Sequence, residues 1–484
     1  MKQLALDALD AALARGVSYA DTRVMEIRDR QVSTKNGKAG HVSSGESMGL
    51  AVRVLAGGCW GFAATDDLTR EGVQAAAALA LDIARAGTLA KKHDVVLAPE
   101  DKYEATWVSP IRVDPFTIPV DRNVALLLDV DRELRRNPGV TLAEGAMSFE
   151  RRRQVFASSI GSLIDQTRYL SGAGYAAVAY KDGEIQKRSY PNSFGGQHQL
   201  KGYELIDEWD LVGNAARIAE EAVALHGADQ CPEGEFDLIL DSSQLGLQIH
   251  ESIGHPIELD RVLGSEANYA GMSFLTLDQL NRLRYGSEIV NVVCDARLKH
   301  GPGLGTFAFD DEGVPAQCVD IIRGGQFVGY MTSRETAAAV GQKRSNGCMR
   351  ADGWERLPLI RMNNVSLLPG EQTLDEVFDI DDGIYMETNR SWSIDDKRYN
   401  FQFGCEIGWE IRHGKRVRML KNPSYSGIST EFWNSCAAIA GADHWTLWGV
   451  PNCGKGQPEQ VMGTGHGASP ARFRNIKVGS AYAE

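Results

Sequence analysis

An α+β protein is what this sequence predicts: an N-terminal α+β half in which helices pack on strands, and a mostly-β, barrel-like C-terminal half carrying one short functional helix. Three observations lead there. Segments with apolar residues at helical spacing lie almost entirely before residue 230, interleaved with strand-like runs. Beyond Cys231-Pro232-Glu233-Gly234 the chain turns Gly-rich, and many strands with few helices favour a closed or strongly curved sheet. At 484 residues the chain is too long for one ordinary core. The expected divisions are 1–100 (α+β), 101–230 (a helix and a β-meander) and 231–484 (the mostly-β part that holds the candidate site).

The elements follow in order. Leu4, Leu9 and Leu13 space the N-terminus as a helix, and Asp7 and Asp10 interrupt the apolar run that a signal peptide needs. Thr22–Ile27, Gln31–Lys35, Gly49–Leu55 and Cys59–Ala64 read as strands. Asn36-Gly37 and Ala56-Gly57-Gly58 supply the turns, because these residues accept positive φ readily. Thr69–Ala86 is a second helix. A Pro-containing linker runs from about Lys91 to Val113, and Asp121–Arg136 is a third helix. The meander comprises 140–150, 152–158, 162–171, 175–181 and 184–189, and Trp209–His226 is a further helix. The later strands are expected at 289–295, 317–323, 326–331, 359–367, 383–388, 400–412 and 416–421, with a helix around 430–439.

Composition excludes several classes. The net charge of −13 opposes nucleic-acid binding, which needs clustered Lys and Arg, and the cluster Arg151-Arg152-Arg153 reads as a solvated strand face. No apolar run approaches the length of a membrane span. The eight cysteines form no CxxC pair and read as reduced, buried small hydrophobes. A cytoplasmic protein is expected.

The candidate site is Asp241-Ser242-Ser243-Gln244-Leu245-Gly246-Leu247-Gln248-Ile249-His250-Glu251-Ser252-Ile253-Gly254-His255-Pro256. A strand ends at Leu240, Asp241-Ser242-Ser243 offers capping oxygens, and a short helix carries His-Glu-x-x-x-His. Two imidazoles and a carboxylate are the ligands and general base of a zinc hydrolase. The spacing poses a problem. Histidines four apart diverge by about 40° around a regular helix, whereas five apart they diverge by roughly 140°. Pro256 pushes His255 out of the helical region and Gly254 loosens the last turn, so the helix is expected to end or kink at Gly254. A catalytic zinc wants a third protein ligand. Glu258, Asp260, His444, His466 and the cysteines are candidates, and Cys453 stands out because it lies in a Gly/Pro-rich stretch read as an exposed loop, with Lys455 near enough to depress its thiol.

The chain resembles the TldD/PmbA family of zinc metallopeptidases, in its active TldD-type members. The resemblance spans almost the whole chain. It rests on Ser18–Arg23, Gly49–Ala64, HESIGHPIELDRVLG (His250–Gly264) and Asp310-Asp311-Glu312-Gly313-Val314-Pro315. It continues through Ser345-Asn346-Gly347, Arg350-Ala351, Arg361-Met362, Asn364 and Cys453-Gly454-Lys455-Gly456-Gln457. It implies His250, His255 and Cys453 as ligands of one Zn2+ per active subunit and Glu251 as the catalytic base. Glu258 and Asp260 are expected behind the ligands, and His466 either there or as a donor to the substrate oxyanion. It further implies a homodimer, or a heterodimer with a PmbA/TldE-type partner, enclosing a chamber for short or unfolded peptides. The family's older description as modulators of DNA gyrase implies an indirect role. A non-catalytic partner-binding subunit with structural zinc, and a zinc amidase acting on non-peptide amides, are the competing readings.

Overall fold

The computed structural model describes residues 1–269 and 271–480. The N-terminal part comprises α1 (Lys2–Leu13), β1 (Tyr19–Lys35), β2 (Lys38–Ala56), β3 (Cys59–Thr65), α2 (Arg70–Gly87), β4 (Glu104–Val108), α3 (Val120–Leu134), β5 (Val140–Ser158), β6 (Leu163–Lys181), β7 (Glu184–Tyr190), β8 (Gln197–Gln199), α4 (Glu204–Glu208) and α5 (Ala215–Ala224). One sheet holds all eight strands, in the order β3-β2-β1-β5-β6-β4 with β7 and β8 also pairing with β6, so it crosses residue 100 without a break. Ala-rich faces of α1 and α2 pack on one end of the long strands, and α3 and α5 pack on the other. Gly61 allows α2 to lie close, since a Cβ there would sit 1.8 Å from the Ala80 carbonyl oxygen.

Several expected boundaries move. The runs 22–27 and 31–35 are one strand of 17 residues, because Arg28-Asp29-Arg30 continues the ladder, with Arg28 and Asp29 partly exposed and Arg30 buried and donating to the Ile118 carbonyl at 2.8 Å. β2 begins at Lys38, eleven residues earlier than expected; its first half is polar and is held by pairing with β1 rather than by apolar alternation. The linker contains β4, parallel to β6. The helix expected over 209–226 is shortened to α5, because its first residues form a turn after α4 in which the Asp210 carboxylate accepts the Gly213 N–H at 3.0 Å.

The C-terminal part contains β9 (Asp229–Gln230), β10 (Gly234–Leu240), α6 (Ser242–Ile249), α7 (Leu259–Val262), β11 (Val292–Asp295), β12 (Cys318–Arg323), β13 (Gln326–Phe327), β14 (Met349–Arg350), β15 (Leu359–Ile360), β16 (Val365–Leu367), α8 (Leu374–Phe378), β17 (Asp382–Ile394), β18 (Asn400–Arg412), β19 (Lys415–Lys421), β20 (Pro423–Ile428), α9 (Ser429–Asn434), β21 (Cys436–Ile439), β22 (Thr446–Lys455), β23 (Gln460–Ala468) and β24 (Ala471–Ser480). β17 pairs with β10, β10 with β24, β24 with β20, β20 with β18, and β18 returns to β17. The expected barrel is therefore a closed ring of five strands around a large apolar core. The helix expected over 430–439 is shorter, because Cys436–Ile439 pairs with β24 as β21.

Asp310-Asp311-Glu312 joins the two parts. The Gln154 amide donates to Asp311 at 2.7 Å. Arg53 donates to Asp21 and Glu312 at 2.6 and 3.1 Å, with all three side chains at most 4 % exposed. Among the described residues no helix is long and apolar enough to cross a membrane.

Candidate metal centre

The site grows from the end of β10. The Asp241 carboxylate caps α6, accepting the N–H groups of Ser243 and Gln244 at 2.8 and 3.1 Å. α6 then continues into a π-helical turn over His250–Gly254, and the His255 N–H donates to the His250 carbonyl at 3.1 Å. Residues five apart are neighbours across such an i→i+5 bond, so the two imidazoles meet with ring centroids 4.8 Å apart. The helix does end at Gly254, as expected, with His255 as its C-cap, but not because His255 leaves the helical region. His255 keeps helical angles, φ −66° and ψ −43°, and widening of the turn brings the histidines together. Pro256 contributes by lacking an N–H, and the Ser252 carbonyl four residues before it takes the Tyr285 hydroxyl instead. Gly254 is required by packing rather than freedom, since a Cβ there would lie 2.1 Å from the Met362 sulfur.

Cys453 comes from β22. Its surroundings form a strand and its residue is 4 % exposed, so the expected open loop is corrected. The ligand atoms of His250, His255 and Cys453 all lie within 4.8 Å of one another, and Cys453 Sγ is 3.7 Å from His255 Nε2. Nitrogen and sulfur ligands of one tetrahedral zinc lie roughly 3.5 Å apart, so this donor set fits the ion. Burial pushes the Cys453 thiol up, yet Arg361 and His255 outweigh it and hold the thiol below its ordinary value. That role does not fall to Lys455, whose ammonium points elsewhere. Glu251 is 5 % exposed, and its Oε2 accepts a hydrogen bond from Arg398 at 2.8 Å. His444 lies exposed in a separate turn.

Profiles of the PmbA/TldA metallopeptidase family match the chain over residues 20–84 (domain 1), 113–226 (central domain) and 233–480 (C-terminal domain). The chain belongs to the PmbA/TldD metallopeptidase family. A metalloprotease of Methanothermobacter thermautotrophicus is 30% identical over 465 residues, covering 96% of each chain. A zinc metalloprotease TldD homologue of Saccharolobus solfataricus is 25% identical, covering 96% of this chain and 97% of that one. Among solved structures, a Thermotoga maritima protein described as a candidate modulator of a DNA gyrase superposes with TM-score 0.77 at 16% identity, covering 98% of this chain and 99% of its own. TldE from Thermococcus kodakarensis superposes with TM-score 0.73 at 15% identity, covering 98% and 100%. At such identities the structural likeness shows the fold.

In this PmbA/TldD chain each histidine is set by a partner behind it. His466 Nδ1 donates to the Val365 carbonyl at 3.0 Å, which leaves its Nε2 to accept from His250 Nδ1 at 2.8 Å. His250 Nε2 is thereby left unprotonated for a metal. With both nitrogens engaged, His466 stands in the first of its two expected places, behind the ligand His250. His255 Nδ1 donates to Glu258 Oε2 at 3.0 Å. Burial drives Glu258 toward protonation, but Lys455, His255 and Arg261 more than reverse this and hold it well below the carboxylate range. Lys455 also donates to both oxygens of Asp260, at 2.7 and 2.9 Å, and to the Ile360 carbonyl at 2.7 Å. Asp260 thus fixes Lys455, and Lys455 keeps Glu258 ionised. Thr464, Arg361 and Arg398 were not foreseen as site residues; Arg361 carried a signal only as part of the motif Arg361-Met362.

Proposed function

We propose that this chain is a zinc-dependent metallopeptidase, with His250, His255 and Cys453 as the ligands of one Zn2+ and Glu251 as its general base. The observation that carries the reading is the convergence of three buried donors from two distant segments, with a carboxylate adjacent in sequence to one of them. When bound, zinc supplies a Lewis acid that polarises the scissile carbonyl and eases deprotonation of a water. Glu251 is held by Arg398 through Oε2, which leaves Oε1 to take the proton as the carbonyl is attacked and to deliver it to the leaving amine. Glu258 and His466 hold the imidazoles in the tautomer that binds metal.

We place the reaction in the cytoplasm, where eight unpaired cysteines are stable. Its substrates are short or unfolded peptides reaching a chamber closed by a second copy or by a PmbA/TldE-type partner. The presence of the base beside the ligands favours catalysis over a purely structural zinc. Glu251→Gln should keep one zinc per chain and lose cleavage of unfolded protein; undiminished turnover in the metal-loaded variant removes Glu251 from this role. Cleavage of small acyl amides in preference to unfolded protein would make the enzyme an amidase.

A further inference from the structure

The three arginines at 151–153 do not share a face. Alternate side chains of a strand point to opposite sides. Arg151 and Arg153 keep 29% and 37% of their side-chain surface and pair with Glu26 and Asp165. Arg152 keeps 10% and turns toward the C-terminal part, so the solvated-face expectation fails for it. Directly opposite Arg152 on β6 is Arg168. With Arg350 of β14 these side chains surround a cavity of about 280 Å³ between the N-terminal sheet and the β22–β23 hairpin.

Among the described residues, one of the three guanidinium groups is answered by a carboxylate that touches it. Arg152 binds Glu150 through two bonds of 3.0 and 3.2 Å. Arg350 is 4 % exposed and among the described residues donates to the backbone carbonyls of Met362, Gly463 and Leu304, at 2.6, 2.9 and 3.3 Å, while its buried Nε finds no partner among them. The Arg168 guanidinium has neither hydrogen bond nor ion pair among the described residues. Burial and the facing Arg152 push Arg168 down to about 10, and burial with Arg168 and Arg361 pushes Arg350 down to about 9. Like charges facing across strands destabilise a sheet. Asp311 and Glu150 offset only part of this at Arg168, and Asp311 only part of it at Arg350, without bonding either one; of the cavity's other acids, Asp352 accepts the Val461 N–H at 2.9 Å and Asp29 lies opposite Glu150 on β1.

The cavity also shares a wall with the metal centre. Pro451 lines it two residues before Cys453, roughly 7 Å along a strand. Gly463 lines it next to Thr464, whose hydroxyl is 3.3 Å from His250 Nδ1.

We propose that this cavity is an anion subsite in which Arg168, with the charge of Arg350 behind it, receives a carboxylate of the substrate peptide, from an acidic side chain or a free C-terminus, a few residues from the scissile bond. The proposal rests on the peptidase reading and gives it a specificity. It is tested with a short labelled Ala/Ser peptide carrying one Glu, beside versions with Glu replaced by Gln or with the C-terminus amidated. Their binding is measured on zinc-loaded Glu251→Gln protein and on the Glu251→Gln/Arg168→Gln variant. Loss of the relevant peptide charge should weaken binding to the first protein about tenfold, and that difference should collapse in the second. Which of the two modified peptides shows the loss identifies the source of the carboxylate. Equal losses on both proteins overturn the subsite while leaving the peptidase reading intact; failure of every peptide to bind overturns both. Because Arg168 makes no bond, Arg168→Gln should raise the melting temperature, and a fall would mark the residue as structural and overturn the proposal.

Discussion

Lys455 is fully buried, and three anionic or carbonyl groups converge on its ammonium. Removing one partner of such a buried arrangement costs about 3–5 kcal/mol, because the remaining charges are left in a poor solvent. Lys455→Met should therefore lower stability in urea unfolding by that amount and weaken zinc binding as well, since Glu258 would no longer be held ionised behind His255. His466→Ala acts more locally. It removes the acceptor that orients His250, and zinc affinity measured against a competing chelator should fall about 10–100-fold. Cys453→Ala should lower zinc stoichiometry, and full occupancy would remove Cys453 from the centre. The residue types of the centre were legible from His250, Glu251 and His255, which lie within six positions of one another. Cys453 could be chosen over Glu258, Asp260 or His466 only by resemblance, because pairing of β22 with β23 and the packing of both against α6 leave no mark at that spacing.

At the scale of elements, the π-helical turn makes the His-Glu-x-x-x-His spacing workable. Strand β10, the Asp241 cap and the helix were all legible, since each announces itself within a few residues. The widened turn was not. Gly254 and Pro256 mark where the helix ends, but the contacts around the widened turn are tertiary: the Tyr285 hydroxyl on the Ser252 carbonyl and the Met362 side chain against Gly254. Gly254→Ala should cost about 1–3 kcal/mol by overpacking. Shortening the neighbour should relieve it, so Gly254→Ala/Met362→Ala should lose less stability than the two single changes added together. Additive losses would show that Met362 does not set the limit. The long strands were under-read for a related reason. Gly40 to Ser47 carries no apolar alternation, and its strand conformation comes from the partner β1.

The whole molecule depends on the contact between its two parts. Arg53 reaches from β2 to Glu312 while also holding Asp21, and Arg53→Ala should destabilise the protein by about 3–5 kcal/mol through the uncompensated carboxylates. The Asp-Asp-Glu-Gly-Val-Pro motif, legible as a family signature, thus has a mechanical task that its sequence does not disclose. Acid should loosen the molecule from a second direction. Burial lowers His198 from 6.5 to about 4, so between those pH values the unfolded chain takes up a proton that the folded chain refuses. Stability should accordingly fall as pH drops from about 6.5 towards 4, and His198→Gln should flatten that part of a melting-temperature profile.

A π-helical turn is geometrically an α-helix that has accommodated one additional residue. Loss of a single codon between Glu251 and His255 would therefore yield the His-Glu-x-x-His spelling and still place two imidazoles side by side. Because the widened turn has absorbed the additional residue, the chain on either side would keep its phase, and His255 and Glu258, both downstream of the deletion, would keep their spacing of three. The two spellings are thus alternative ways of setting a pair of imidazoles side by side, and exchanging one for the other is a change confined to the turn itself.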